Sequence, residues 1–176
     1  VTVMNSLTVN LHLLLASFYR PAGERTALLV ERSAFPSDRY AAESQVRWHG
    51  LEPARDLVEI APREGEHLLR TEDIVATLER EGPRIATILL PGVQYLTGQR
   101  LDIQALTAAG QRAGCTVGWD LAHAIGNVPL DLHAAGVDFA VWCHYKYLNG
   151  GPGAAGGAFV HARHAGRRDL PRLAGW

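Results

Sequence analysis

Lysine is almost missing from this 176-residue chain: of 17 basic residues only Lys146 is lysine, and the other 16 are arginine. Long apolar runs are missing too. Leu13 to Phe18, interrupted by Ser17, and Phe139 to Cys143 both fall far short of the roughly 20 residues that span a bilayer. The start of the chain lacks the basic, apolar and small-residue segments that together make a signal peptide. Charge excess is absent, with a net charge of −1 and a pI near 6.8, which argues against a nucleic-acid or anionic-membrane partner and for a small molecule. Only two cysteines are present, Cys115 and Cys143, both beside apolar runs and without metal-ligand spacing. They read as buried free thiols of a reducing compartment. His161 and His164 lack supporting Cys or carboxylate ligands, so no metal is expected.

What is present is 47% apolar residues, enough for one sizeable core, and an alternation of short β-rich runs with helical patterns. Residues 8–19, 37–50, 71–82 and 102–114 suit helices, with Ser37, Asp38 and Thr71 read as starting signals and Gly50, Gly82 and Gly114 as stops. A short helical piece is expected at 131–136. Strands are expected at 26–30, 56–62, 84–90, 116–120 and 138–143. The opening VTVMNSLTVNLHLLL reads as helix from its start, and the chain stops at RLAGW without any change of composition. Both ends therefore look like cuts within a larger protein. Apolar strands alternating with helices imply an α/β fold, a mostly parallel sheet with helices on both faces. Ligands of such sheets bind at the carboxyl ends of the strands, here 31–38, 91–99, 120–123 and 143–146.

Asp120 ends an apolar strand, where a carboxylate needs a cation or strong donors unless it only caps the following turn. His123 either shares that crevice or is satisfied by backbone. Lys146 follows the next strand. Arginine would have met any need for charge alone, so one retained lysine points to a nitrogen that loses its proton and forms a Schiff base. A strand-end acid and a strand-end amine one strand later match the needs of pyridoxal 5'-phosphate: an amine for the aldehyde, an acid for the ring nitrogen, a phosphate site and a ring support. Ser6 and Thr8 at a helix start offer the phosphate site, and Phe35 offers the ring support. The glycine-rich NGGPGAAGG is neither a P-loop nor a dinucleotide fingerprint, and reads as a flexible turn.

The segments MNSLTVNLHLLL, AFPSDRYAAESQ, PREGE, TGQ and GWDLAHAIGNVPLDLHAAGVDFAVWCHYKYLNGGPG, with the closing GW, resemble the kynureninases, pyridoxal-phosphate enzymes of the aspartate aminotransferase fold type. The resemblance runs in order through nearly the whole chain. It implies that residues 1–176 are the cofactor-binding large domain, with an N-terminal segment and a C-terminal small domain lying outside them. It implies hydrolysis of L-kynurenine or its 3-hydroxy form to alanine and an anthranilate, in tryptophan catabolism and NAD biosynthesis, by a cytoplasmic homodimer. Lys146 would be the Schiff-base lysine, Tyr145 a phosphate contact assisting proton transfer, Asp120 the partner of the ring nitrogen, and His123 a neighbour of cofactor and substrate. Leu7 and Thr8 would meet the phosphate, Phe35 would stack on the ring with Pro36, Ser37 and Asp38 around it, and Trp176 would reach the phosphate of a partner subunit. Pro91 stands where the family carries a hydroxyl, and it donates no hydrogen bond. The arginine expected to bind the substrate carboxylate belongs to the missing small domain, so the segment alone is expected to turn over little substrate. The same Asp, His and Lys would also serve a cysteine desulfurase or a class-V aminotransferase, or survive in a non-catalytic truncated paralogue.

Overall fold

Residues 1–173 are described by a computed structural model; Trp176, assigned above to a phosphate, lies outside them. Among the described residues seven strands form one sheet: β1 (Thr2–Val3), β2 (Ala27–Glu31), β3 (Leu57–Ile60), β4 (Ile85–Pro91), β5 (Thr116–Asp120), β6 (Phe139–Cys143) and β7 (Gly156–Val160). The helices are α1 (Leu7–Phe18), α2 (Pro36–Trp48), α3 (Pro53–Asp56), α4 (Thr71–Glu81) and α5 (Ile103–Arg112).

β2 and β6 are buried along their whole length, which a strand reaches only when both sheet faces are covered. Leu11, Leu15 and Phe18 of α1 and Val46 of α2 cover Leu28, Val30, Phe139 and Val141 on one face. Ile74 and Leu78 of α4 and Leu106 of α5 cover Leu29, Ile88 and Trp119 on the other. Each such side chain contributes roughly 1.5–3 kcal/mol by leaving water. The fully buried Trp119 indole is satisfied by donating to the Thr107 hydroxyl at 3.0 Å.

The strand order is β1-β7-β6-β5-β4-β2-β3, parallel from β3 through β6 and antiparallel at β7 and β1. From β2 the chain goes outward to β3, then returns past β2 to β4. The order therefore reverses between β2 and β4, and a crevice opens at their carboxyl ends.

The parallel core follows the sequence pattern, and several local expectations are corrected. Residues 2–3 form a strand before α1, because Met4 and Asn5 bond to Gly156 and carry the chain across β7. Ser37 and Asp38 do not cap α2; Phe35 holds the cap position and Pro36, which needs no amide partner, starts the helix. Arg70, not Thr71, is the cap of α4. Residues 131–136 make turns only, with Asp131 accepting from the Ala134 amide at 2.9 Å and Gly136 stopping the chain in the left-handed region.

The glycine-rich stretch is not only a turn, since its end is β7. Glycine is required there because the Trp142 ring lies on the strand: a Cβ at Gly157 would stand 2.3 Å from the indole. The strand is read as loop from sequence because its packing surface comes from a residue 15 positions away.

Candidate active site

Four loops meet at the carboxyl end of the sheet, following β2, β4, β5 and β6, and they carry most of the expected site residues. A narrow crevice at the reversal point is lined by Glu31, Phe35, Asp38, Gln94, Tyr95, Asp120 and His123 among others.

Asp120 is the last residue of β5, paired with Pro91 of β4 and Val141 of β6. One of its oxygens accepts the Ala122 amide at 2.8 Å, so it does secure the following turn. It also faces Asp38, from the first turn of α2, and both are buried. Burial and the neighbouring Asp120 charge push the Asp38 carboxyl up to about 9. Burial also raises Asp120, opposed by the Asp38 hydrogen bond, the Ala122 amide and the charge of Lys146. Asp38 thus favours the protonated form, which can donate toward Asp120. Asp38 Oδ1 is buried without a partner.

Lys146 stands on the turn after β6, with Nζ 5.4 Å from the Phe35 ring centre and 5.8 Å from that of Tyr145. Both contacts lie within cation–π range. Asn149 donates to the Lys146 carbonyl at 3.0 Å and closes the turn. Gly126 brings the His123 loop against it. At φ +74°, it sits where a Cβ would be 2.9 Å from the Tyr147 carbonyl oxygen. The His123 and Tyr147 rings lie 6.2 Å apart. Burial, and then the Lys146 charge, hold the His123 imidazole below its ordinary value, which favours the neutral ring. Tyr145 is exposed, and its hydroxyl is held up by burial and by the Cys143 thiol beside it.

The start of α1 reaches the same end of the sheet. Cys143 of β6 pairs with Gly156 of β7, and a Cβ on Gly156 would stand 3.0 Å from the Leu7 amide nitrogen. Ser6 caps the helix through the Val9 amide at 3.4 Å, while Leu7 and Thr8, as the first two helical residues, keep amides with no acceptor inside the helix. Pro36 and Ser37 sit in the first turn of α2 beside Phe35. Pro91 lines the cavity, and the Gly92 amide after it donates to the Asp120 carbonyl at 2.8 Å.

Sequence reasoning missed Glu31, Gln94 and Tyr95. Glu31 is buried at the end of β2, raised by that burial and reached by the Gln94 side chain; its Oε2 has no partner. Gln94 also donates to the Ser33 carbonyl at 3.0 Å and accepts the Leu96 and Thr97 amides at 2.6 and 2.9 Å. It thereby ties the loop after β4 to the loop after β2, and Tyr95 stands edge-on to Phe35 at 5.2 Å. The signal was available for Glu31, an acid closing an apolar strand as Asp120 does. None existed for Gln94, whose partners lie up to 61 positions away.

Residues 39–168 match the family model described as aminotransferase class-V. Over all 176 residues the chain is 57% identical to a kynureninase of Nematostella vectensis and 61% identical to one of Salinispora tropica, spanning 38% and 41% of their lengths. The chain thus spans about two fifths of the length of the curated relatives it matches. A solved structure of a C-DES mutant with glycine covalently linked to its PLP cofactor has the same fold. Its TM-score is 0.77 at 18% identity, covering 94% of this chain and 42% of that one.

Proposed function

This chain belongs to the aminotransferase class-V family, and from that footing we propose that it is the cofactor-binding large domain of a kynureninase. The activity is hydrolysis of L-kynurenine or 3-hydroxykynurenine to L-alanine and the corresponding anthranilate. The observation that carries the reading is the meeting of Lys146, Asp120 and the Phe35 face at one end of the sheet, on strand ends one strand apart.

The residues fit pyridoxal 5'-phosphate. A buried Asp120 carboxyl backed by a protonated Asp38 lacks a cationic partner of its own and suits a cationic ring nitrogen. Phe35 is 43% exposed at the crevice and offers an open aromatic face. The Leu7 and Thr8 amides at the start of α1, with the Thr8 and Tyr145 hydroxyls, suit a phosphate. When bound, the cofactor supplies an aldehyde and an electron-withdrawing ring.

The protein's own groups then divide the work. Lys146 offers the amine that takes up the aldehyde and, when free, moves the proton at the substrate α-carbon. Asp120 keeps the ring nitrogen protonated, and the Asp38 hydrogen bond keeps Asp120 in place. His123, held neutral, accepts a hydrogen bond from ring or substrate. Pro36 and Ser37 shape the rim around Phe35. Tyr145 binds the phosphate and assists proton transfer, and Trp176 completes the phosphate site of a partner subunit. In this reading a small domain from the rest of the relatives' length supplies the substrate-carboxylate site. On the same reading the enzyme works as a cytoplasmic homodimer in tryptophan catabolism, on the route toward NAD.

The test is borohydride reduction of the whole protein after incubation with pyridoxal phosphate, with peptide mapping, alongside an assay of anthranilate release from both substrates. Label at Lys146 with anthranilate release is expected. Label with sulfide or keto-acid formation instead would reassign the chemistry within the fold type, and absence of label would leave a non-catalytic module.

A further inference from the structure

We propose that His144 is a positioning residue: as the neutral Nδ1–H tautomer it latches the Lys146 turn to the start of β7, and so sets the spacing between the amine and the first amides of α1. The proposal rests on the reading of Lys146 and the α1 start as two ends of one cofactor site.

Two hydrogen bonds select the tautomer. The Trp142 indole N–H can only donate, and it points at His144 Nε2 at 3.1 Å. Nε2 must therefore be bare. On the other side, His144 Nδ1 lies 2.5 Å from the Ala155 carbonyl oxygen, which can only accept, so Nδ1 must carry the hydrogen. Of the three protonation forms of imidazole, one meets both partners.

Both partners are fixed from elsewhere. Trp142 is buried in β6, and its ring lies flat against Gly157, where no Cβ would fit. Ala155 leads directly into Gly156, which pairs with Cys143 and abuts Ser6 and Leu7 at the start of α1. The third tie is in the backbone, where the His144 carbonyl accepts the Gly150 amide at 2.8 Å and closes the base of the turn. His144 thus joins three pieces: β6, the turn bearing Tyr145 and Lys146, and the strand whose first residue packs on α1. Without the side chain, the Lys146 turn would keep its own hydrogen bonds but lose its tie to the strand beside the phosphate-side amides.

Two measurements test this. The first uses the whole protein without cofactor, labelled with 15N-histidine, and reads the His144 tautomer by long-range 15N–1H correlation. The Nδ1–H form is expected; the Nε2–H form or an average of the two would overturn the latch. The second compares trapping of pyridoxal phosphate and of phosphate-free pyridoxal at Lys146 in H144F, which keeps neither bond, and in H144N, which keeps a donor toward Ala155. H144F should slow trapping of the phosphate form at least tenfold while changing that of pyridoxal less than twofold, and H144N should recover at least threefold of the loss. General damage to the fold would slow both probes alike. Equal trapping of the phosphate form in H144F and wild type, or equal slowing of both probes, would overturn the proposal. If Lys146 takes no label in the wild type, the functional reading fails, and the tautomer measurement still decides whether the latch exists.

Discussion

Asp38 and Asp120, one from the start of α2 and the other from the end of β5, share a single proton in a buried crevice. Asp38 holds it with a carboxyl pushed up to about 9 by burial and by the Asp120 charge. The folded value lies above the ordinary 3.8, so the stability linked to this group is full below about 3.8 and is lost as pH rises through about 9. Asn at position 38 cannot ionise and still donates an N–H toward Asp120. In the cofactor-free protein D38N should therefore gain on wild type as pH rises, at about 1.4 kcal/mol for each tenfold difference in proton affinity. Urea denaturation at about pH 6 and about pH 8 checks this; a constant difference between the two would refute the shared proton.

Lys146→Arg separates charge from nucleophilicity. The guanidinium stays charged and does not condense with an aldehyde, so attachment at position 146 should vanish and activity of the whole enzyme should fall by about a thousandfold or more. His123 offers a readout free of turnover. The Lys146 charge is the second cause, after burial, of its lowered value, so its titration by NMR should stay low in K146R and rise in K146Q.

Glu31 and Gln94 should behave as a brace. Gln94→Ala removes the donor to the Ser33 carbonyl and the acceptor of two loop amides, for an expected loss of about 1–3 kcal/mol in chemical denaturation. Burial raises Glu31 above 4.5, so its stability contribution also falls as pH rises past that value. E31Q should accordingly gain on wild type between acidic and neutral pH, and a loss there would mean that the carboxylate is charged and paired.

Gly157→Ala distinguishes a packed strand from a flexible turn. The added methyl would meet the Trp142 indole at 2.3 Å, so a loss of about 1–3 kcal/mol and a shifted tryptophan emission are expected. Gly166, with nothing within 4 Å of its would-be Cβ, is the control, and G166A should stay within about 0.5 kcal/mol of wild type. Equal effects at the two positions would refute the strand packing.

What the sequence determined by itself is the parallel core and the chemical types at its mouth. Runs such as TALLV and DFAVWC are apolar on both faces, and that property is local to each strand. A lone lysine and an acid closing an apolar strand are likewise visible as departures from their surroundings, and both stand at the crevice. Tertiary structure alone decided which groups touch. Asp38 looked like a helix cap that also stands near the cofactor ring, and it became the proton partner of Asp120, 82 positions away, because both are buried in one crevice. Gly156 and Gly157 looked like loop and became strand because a tryptophan from the neighbouring β6 needed a surface without side chains. Hydrogen bonds and steric fit act over a few ångströms, and only the completed fold brings residues that distant in sequence within that range.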